Sequence, residues 1–109
     1  MNNSNTSEQE KSSIADRIKM TALVVEELVE AGLRVITANA GNDAIDDYVL
    51  FSGNLNKFRS WAKNRCLDIE IRISNPSRVL KWIIKTKYCG VEVRSFISDD
   101  EKEEYEREE

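Results

Sequence analysis

The sequence predicts a two-layer α/β sandwich of the α+β kind, in the order αββαβαβ. It would carry a mixed four-stranded sheet with three helices on one face. Three observations lead there. Leu67 to Ser74 alternates without a break, apolar on one side and polar on the other, the pattern of a strand covered on one face only. Ile14, Ile18, Thr21, Ala22, Val25 and Val29 recur at helical spacing ahead of Gly32. Residues 54–98 read as one α-β unit written twice. Asn54, Lys57, Phe58 and Trp61 are echoed by Asn75, Arg78, Val79 and Trp82, and each copy then passes a cysteine (Cys66, Cys89) into a strand.

In chain order, residues 1–12 are polar and aperiodic, so a disordered segment is expected. A single domain over 13–98 follows, its first helix opening at Ser12 or Ser13 and stopping at Gly32, because glycine takes the left-handed C′ conformation cheaply. Leu33–Ala38 is rich in β-branched residues and reads as a strand. Asn39 to Asp43 is the clearest turn cluster, and Asp47–Ser52 supplies the strand that closes an antiparallel hairpin. Gly53-Asn54 caps a second helix to about Arg65, with Leu55, Phe58, Trp61 and Ala62 inward. Asn75-Pro76 has the form of a helix start. The spacing thus predicts a third helix from there to Cys89-Gly90, and Val91–Ser98 is the last strand. Two strand-helix-strand crossovers would make the last three strands parallel, setting Glu70 and Arg72 beside Glu92 and Arg94. A ferredoxin-like arrangement is the runner-up. Residues 99–109 form an acidic tail of eight acids against two bases.

Composition narrows the chemistry. The 109 residues carry a formal charge of −4 and no histidine. A Ser-His or Cys-His nucleophile pair and a His-bearing zinc site are therefore excluded within this chain. Two cysteines cannot supply a Cys₄ site, and no Gly-rich phosphate loop occurs. Neither an apolar run of spanning length nor an export signal is visible, so a cytoplasmic protein with reduced thiols is expected, without cofactor, metal or membrane contact. These features predict a non-enzyme.

Two surfaces are candidates for binding. The acidic residues Asp43, Asp46 and Asp47 beside the Gly41 turn, with Asp99, Asp100, Glu101, Glu103 and Glu104 of the tail, would contact a partner protein. Residues 54–98 carry ten bases against three acids, and on a third helix Arg78, Lys81 and Lys85 would form one stripe. With Lys57, Arg59 and Lys63 they would track a nucleic-acid backbone. The expectation is a small intracellular regulator or inhibitor acting by protein–protein binding, comparable by analogy with small phage or mobile-element proteins. The alternative is a nucleic-acid-binding accessory protein modulated by the acidic tail. An exposed edge strand leaves room for a homodimer.

Overall fold

The computed structural model describes the backbone of residues 2–108 and the side chains of residues 14–108. The segment expected to be disordered, 1–12, falls on residues whose side chains lie outside this description, while the helix expected to open at Ser12 or Ser13 has its backbone start earlier, at Asn2. Eight elements follow in order: α1 (Asn2–Glu30), β1 (Arg34–Asn39), β2 (Tyr48–Ser52), α2 (Leu55–Asn64), β3 (Glu70–Ile73), β4 (Trp82–Tyr88), β5 (Val91–Ile97) and α3 (Asp99–Arg107). The five strands form one mixed sheet in the order β1-β2-β5-β4-β3. The α+β class therefore holds, with one strand more than expected and a different order.

Local chemistry explains most boundaries. α1 ends in a Schellman motif: Leu33 N donates to Leu28 O at 2.9 Å and Gly32 N to Val29 O at 3.0 Å, with Gly32 at φ 89°. β1 and β2 pair antiparallel as expected, with a bulge between Val35 and Thr37 that leaves Ile36 without a partner. α2 begins after Gly53 and Asn54, both at positive φ, and the Asn54 side chain makes no capping bond. It ends in a second Schellman motif, in which Cys66 takes the left-handed position that glycine holds in α1.

The repeat breaks at its second copy. Asn75-Pro76 opens not a helix but a turn, in which Asn75 Oδ1 accepts from Ser77 N at 3.1 Å and the chain returns through Ser74 N–Lys81 O at 2.7 Å. Trp82–Tyr88 is then β4, antiparallel to both β3 and β5. Ile83, Ile84 and Thr86 are β-branched and lose side-chain freedom in a helix. Laid out as a strand, Trp82, Ile84, Thr86 and Tyr88 share one face, and Ile84 is fully buried. Cys89 and Gly90, at φ 53° and 78°, make a two-residue hairpin turn between Tyr88 and Val91. β4 thus separates β3 from β5, and among the described residues the one parallel pair is β2 with β5.

The third helix of the layer is the acidic tail. Ser98 caps α3 with a reciprocal capping box, accepting from Glu101 N at 3.2 Å while the Glu101 side chain accepts from Ser98 N at 3.1 Å. Tyr105 is buried in the same cluster as Phe58, Trp61, Val91 and Ile97. The three helices therefore cover one face of the sheet. An aromatic series ties the layers together: Phe51 to Phe58 at 4.7 Å, Phe58 to Trp61 at 6.2 Å, and Trp61 edge-on to Tyr88 at 5.2 Å between centroids. Burying one such ring contributes about 2–3 kcal/mol.

Candidate functional site

With all helices on one side, the other face of the sheet stays open. On β5, the central strand, Val91, Val93, Ser95 and Ile97 are buried beneath the helices, so Glu92, Arg94 and Phe96 point the other way. The registers place Ile83 and Lys85 of β4, Glu70 and Arg72 of β3, and Tyr48 and Leu50 of β2 on the same open face.

One end of this face is charged and self-neutralised. Lys85 Nζ stands 3.1 Å from Glu92 Oε1, Arg94 Nη1 stands 3.2 Å from Glu92 Oε2, and Arg72 pairs with Glu70 on its own strand. The Arg94 guanidinium lies 3.8 Å above the Tyr48 ring. Because β4 intervenes, the expected contacts between β3 and β5 charges are replaced by these pairs.

The other end is apolar and concave. The β3–β4 loop turns back beside Phe96, and Ser74, Asn75, Arg78, Leu80 and Phe96 line a cleft of about 320 Å³. Phe96 is 39% exposed, Leu80 46% and Val79 82%, while Ile83 beside them is almost covered. Arg78, exposed in the cleft lining, provides positive charge at this end, with the Arg72–Glu70 pair on the neighbouring strand. Apolar side chains held on a central strand and a hydrogen-bonded turn, rimmed by arginine, are a recurrent arrangement of interaction sites.

The acidic residues singled out in the sequence do not converge. The Asp47 carboxylate is 6% exposed and is held by Arg17, at 2.9 Å from Nε and 2.8 Å from Nη2, and by Gly41 N at 3.0 Å. These hydrogen bonds, led by that of Arg17, hold its carboxyl below the ordinary value. Asp43 is exposed 3.7 Å from Arg17. Asp46 lines a shallow depression with Asp68, Glu70, Lys85, Lys87 and Glu92. Asp99 accepts from Trp82 Nε1 at 2.6 Å and pairs with Lys81 at 3.0 Å, which holds its carboxyl down as well. Glu101 is committed to its cap, whereas Asp100, Glu103 and Glu104 face solvent. The Asp43–Asp47 loop abuts the start of β5 through Glu92 N–Asp47 O at 2.9 Å, and α3 leaves from the end of that strand. The two acidic segments thus stand roughly 20 Å apart along β5 and form no single surface.

The basic residues divide in the same way. Lys57, Arg59 and Lys63 belong to α2 in the helical layer, where the Arg59 guanidinium covers the Tyr105 ring at 3.8 Å and pairs with Glu108 at 3.4 Å. Arg78 lies in the turn, Lys81 pairs with Asp99, and Lys85 pairs with Glu92 on the open face. The stripe expected on a third helix does not exist, because its residues are in a turn and a strand. The Phe96 cleft escaped the sequence reading, although two signals for it are present. Phe96 stands at the outward parity of its strand, and Val79-Leu80 is an apolar pair in a segment that a proline turn opens.

Both cysteines are free thiols, exposed at the two left-handed turn positions. Among the described residues no cluster of three or more Cys, Asp or Glu side chains is placed to hold a metal ion, and no helix is long and apolar enough to cross a membrane. Family models, curated proteins and solved structures yield no match to this chain.

Proposed function

We propose that the protein is a small non-catalytic regulator that binds a segment of a partner protein on the open face of its sheet, with the Phe96 cleft as anchor site. The observation that carries this reading is the exposure of Phe96 and Leu80 in a preformed cleft on an otherwise ion-paired face. Ordered backbone on both sides of the cleft means that little conformational entropy is lost on binding. Arg78 selects for acidic residues flanking the anchor. The free thiols agree with a reducing, intracellular setting. Selection from a displayed random-peptide library tests the proposal. Wild type should enrich an aromatic or aliphatic residue beside Asp or Glu, and Phe96→Ser should lose that enrichment while remaining folded. Enrichment that is indifferent to Phe96 and Arg78 would sink the reading.

A second reading rests on the same face. Tyr48, Arg94 and Phe96 lie on adjacent strands β2 and β5, as stacking groups do in sheets that bind single-stranded nucleic acid. It uses a different set of residues from the expected stripe. Oligonucleotide binding that weakens with salt and with Phe96→Ser, alongside no peptide enrichment, would favour it.

A further inference from the structure

The flank of α1 that its spacing marks as apolar is not the one it buries most deeply, and the core reaches it only in part, through Val25. Thr21, Val24 and Leu28 are buried beneath the helix, and Glu27 on one side holds Arg65 at 2.6 Å and accepts from the Tyr88 hydroxyl at 3.2 Å. Helical geometry turns Ile14, Ile18, Ala22, Val25 and Val29 to the opposite side, over β1. β1 is the edge of the sheet. Ile14 is 38% exposed, Ile18 51% and Val29 56%, and Ile36 at the bulge of β1 is 58% exposed. The Gly41 turn seats only the first part of this flank, where a Cβ at Gly41 would meet Ile14 at 3.2 Å and Ile18 at 3.4 Å.

We propose that this flank, with the β1 edge beneath it, is the two-fold interface of a homodimer in which the α1 helices pack antiparallel and cross at Ala22. The charges bordering the flank select that occupant. Lys19 and Glu26 lie two turns apart on its outer border, about 10 Å along the axis. Antiparallel packing sets Lys19 of each copy against Glu26 of the other, whereas parallel packing sets like against like. The apolar residues obey the same two-fold: Ile18 with Val25 and Ile14 with Val29 are arranged about a midpoint next to Ala22, whose small side chain lets the helices approach. The strand agrees with the helix. Ala22 stands about 12 Å back from the end of α1, and the middle of β1 about 8 Å beyond its start, so one axis passes near both. The bulge at Ile36 interrupts the outer edge of β1, so the helices rather than a continuous ladder carry the contact.

Sedimentation equilibrium of the full chain tests the proposal. Wild type should be a dimer, with Lys19→Glu and Glu26→Lys each raising the dissociation constant about tenfold and the double exchange restoring it. In a Cys66→Asn/Cys89→Asn background, Ala22→Cys should cross-link to its own copy on diamide oxidation, and Leu23→Cys, on another side of α1, should not. Circular dichroism checks that every variant is folded. A monomer at all concentrations, a dimer indifferent to the charge exchanges, equal cross-linking at Leu23, or dissociation by Phe96→Ser instead would each overturn it. The last result would also separate this interface from the one proposed on the open face.

Discussion

Arg17 and Asp47, thirty residues apart, form a two-pronged ion pair with contacts of 2.9 and 2.8 Å that joins α1 to the start of β2. The same aspartate accepts from Gly41 N, and its backbone oxygen accepts from Glu92 N, so one residue fixes a helix, a turn and the central strand. Replacing Arg17 by Met should lower the melting temperature by several degrees, because it strands a nearly buried carboxylate. Asp47→Asn keeps the shape and an acceptor for Gly41, and should cost less.

The same pair sets an acid limit. The folded-state pKa of Asp47 lies below the ordinary 3.8, so its contribution to stability is fully present above that value and is lost as the pH falls through the lower, folded-state one. Asp99, depressed by Trp82 and Lys81, acts in the same direction. Thermal melts from about pH 6 down to about pH 2 should show stability falling on the acid side, with a shallower fall in Asp47→Asn. An identical slope in both proteins would contradict the assignment.

The acidic tail is part of the folded domain. Tyr105 is 3% exposed and lies under the Arg59 guanidinium. Tyr105→Ala should cost about 2–4 kcal/mol in urea denaturation, and ending the chain at Ser98 at least as much. Losing Asp99 should also shift the emission of Trp82, whose indole N–H it accepts. Unchanged stability of the shortened chain would show that α3 does not hold to the core.

Cys66 and Cys89 occupy backbone positions that suit glycine or asparagine, at φ 55° and 53°. Cys66→Gly completes a glycine Schellman cap, and Cys89→Asn gives the Asn-Gly pair preferred in a two-residue hairpin. Each should raise stability by about 0.5–1 kcal/mol, measured by chemical denaturation. A loss at either position would mean that the thiol has a contact worth more than the relief of strain.

Phe96 should be dispensable for folding. It is 39% exposed on the open face, so Phe96→Ser should change stability by no more than about 1 kcal/mol while removing the anchor of the cleft. A larger loss would assign the ring to the core.

Much of the architecture was legible because it is written locally. The Gly32 stop, the β1–β2 hairpin and the inner face of α2 all follow from neighbouring residues, whereas the alternation over 67–74 yields a strand only at Glu70–Ile73, with Ile73 half exposed. The candidate site was far less legible. Asp47 and Asp99 look like free surface acids until Arg17, Trp82 and Lys81 are brought to them from distant parts of the chain. The cleft joins Phe96 to a turn some twenty residues earlier, and no local pattern records that proximity.

The sequence by itself determined the class: apolar periodicity in most elements, glycine stops, and charged residues interleaved with the apolar ones. The tertiary structure decided what residues 75–109 become. A short apolar run such as Trp82-Ile83-Ile84 suits a helix or a central strand equally well by periodicity, and only pairing on both sides, with β3 and β5, settles it as β4. Once β4 has entered the sheet, Trp61 of α2 covers its Tyr88 end and the helical layer has a vacancy toward its Trp82 end, where Asp99 and Lys102 meet the indole. α3 fills it because Tyr105 gives an otherwise polar tail one side chain to bury. The two copies of the echo share their residues but not their fold, since hydrophobic burial is satisfied by position in the whole and not by resemblance between its parts.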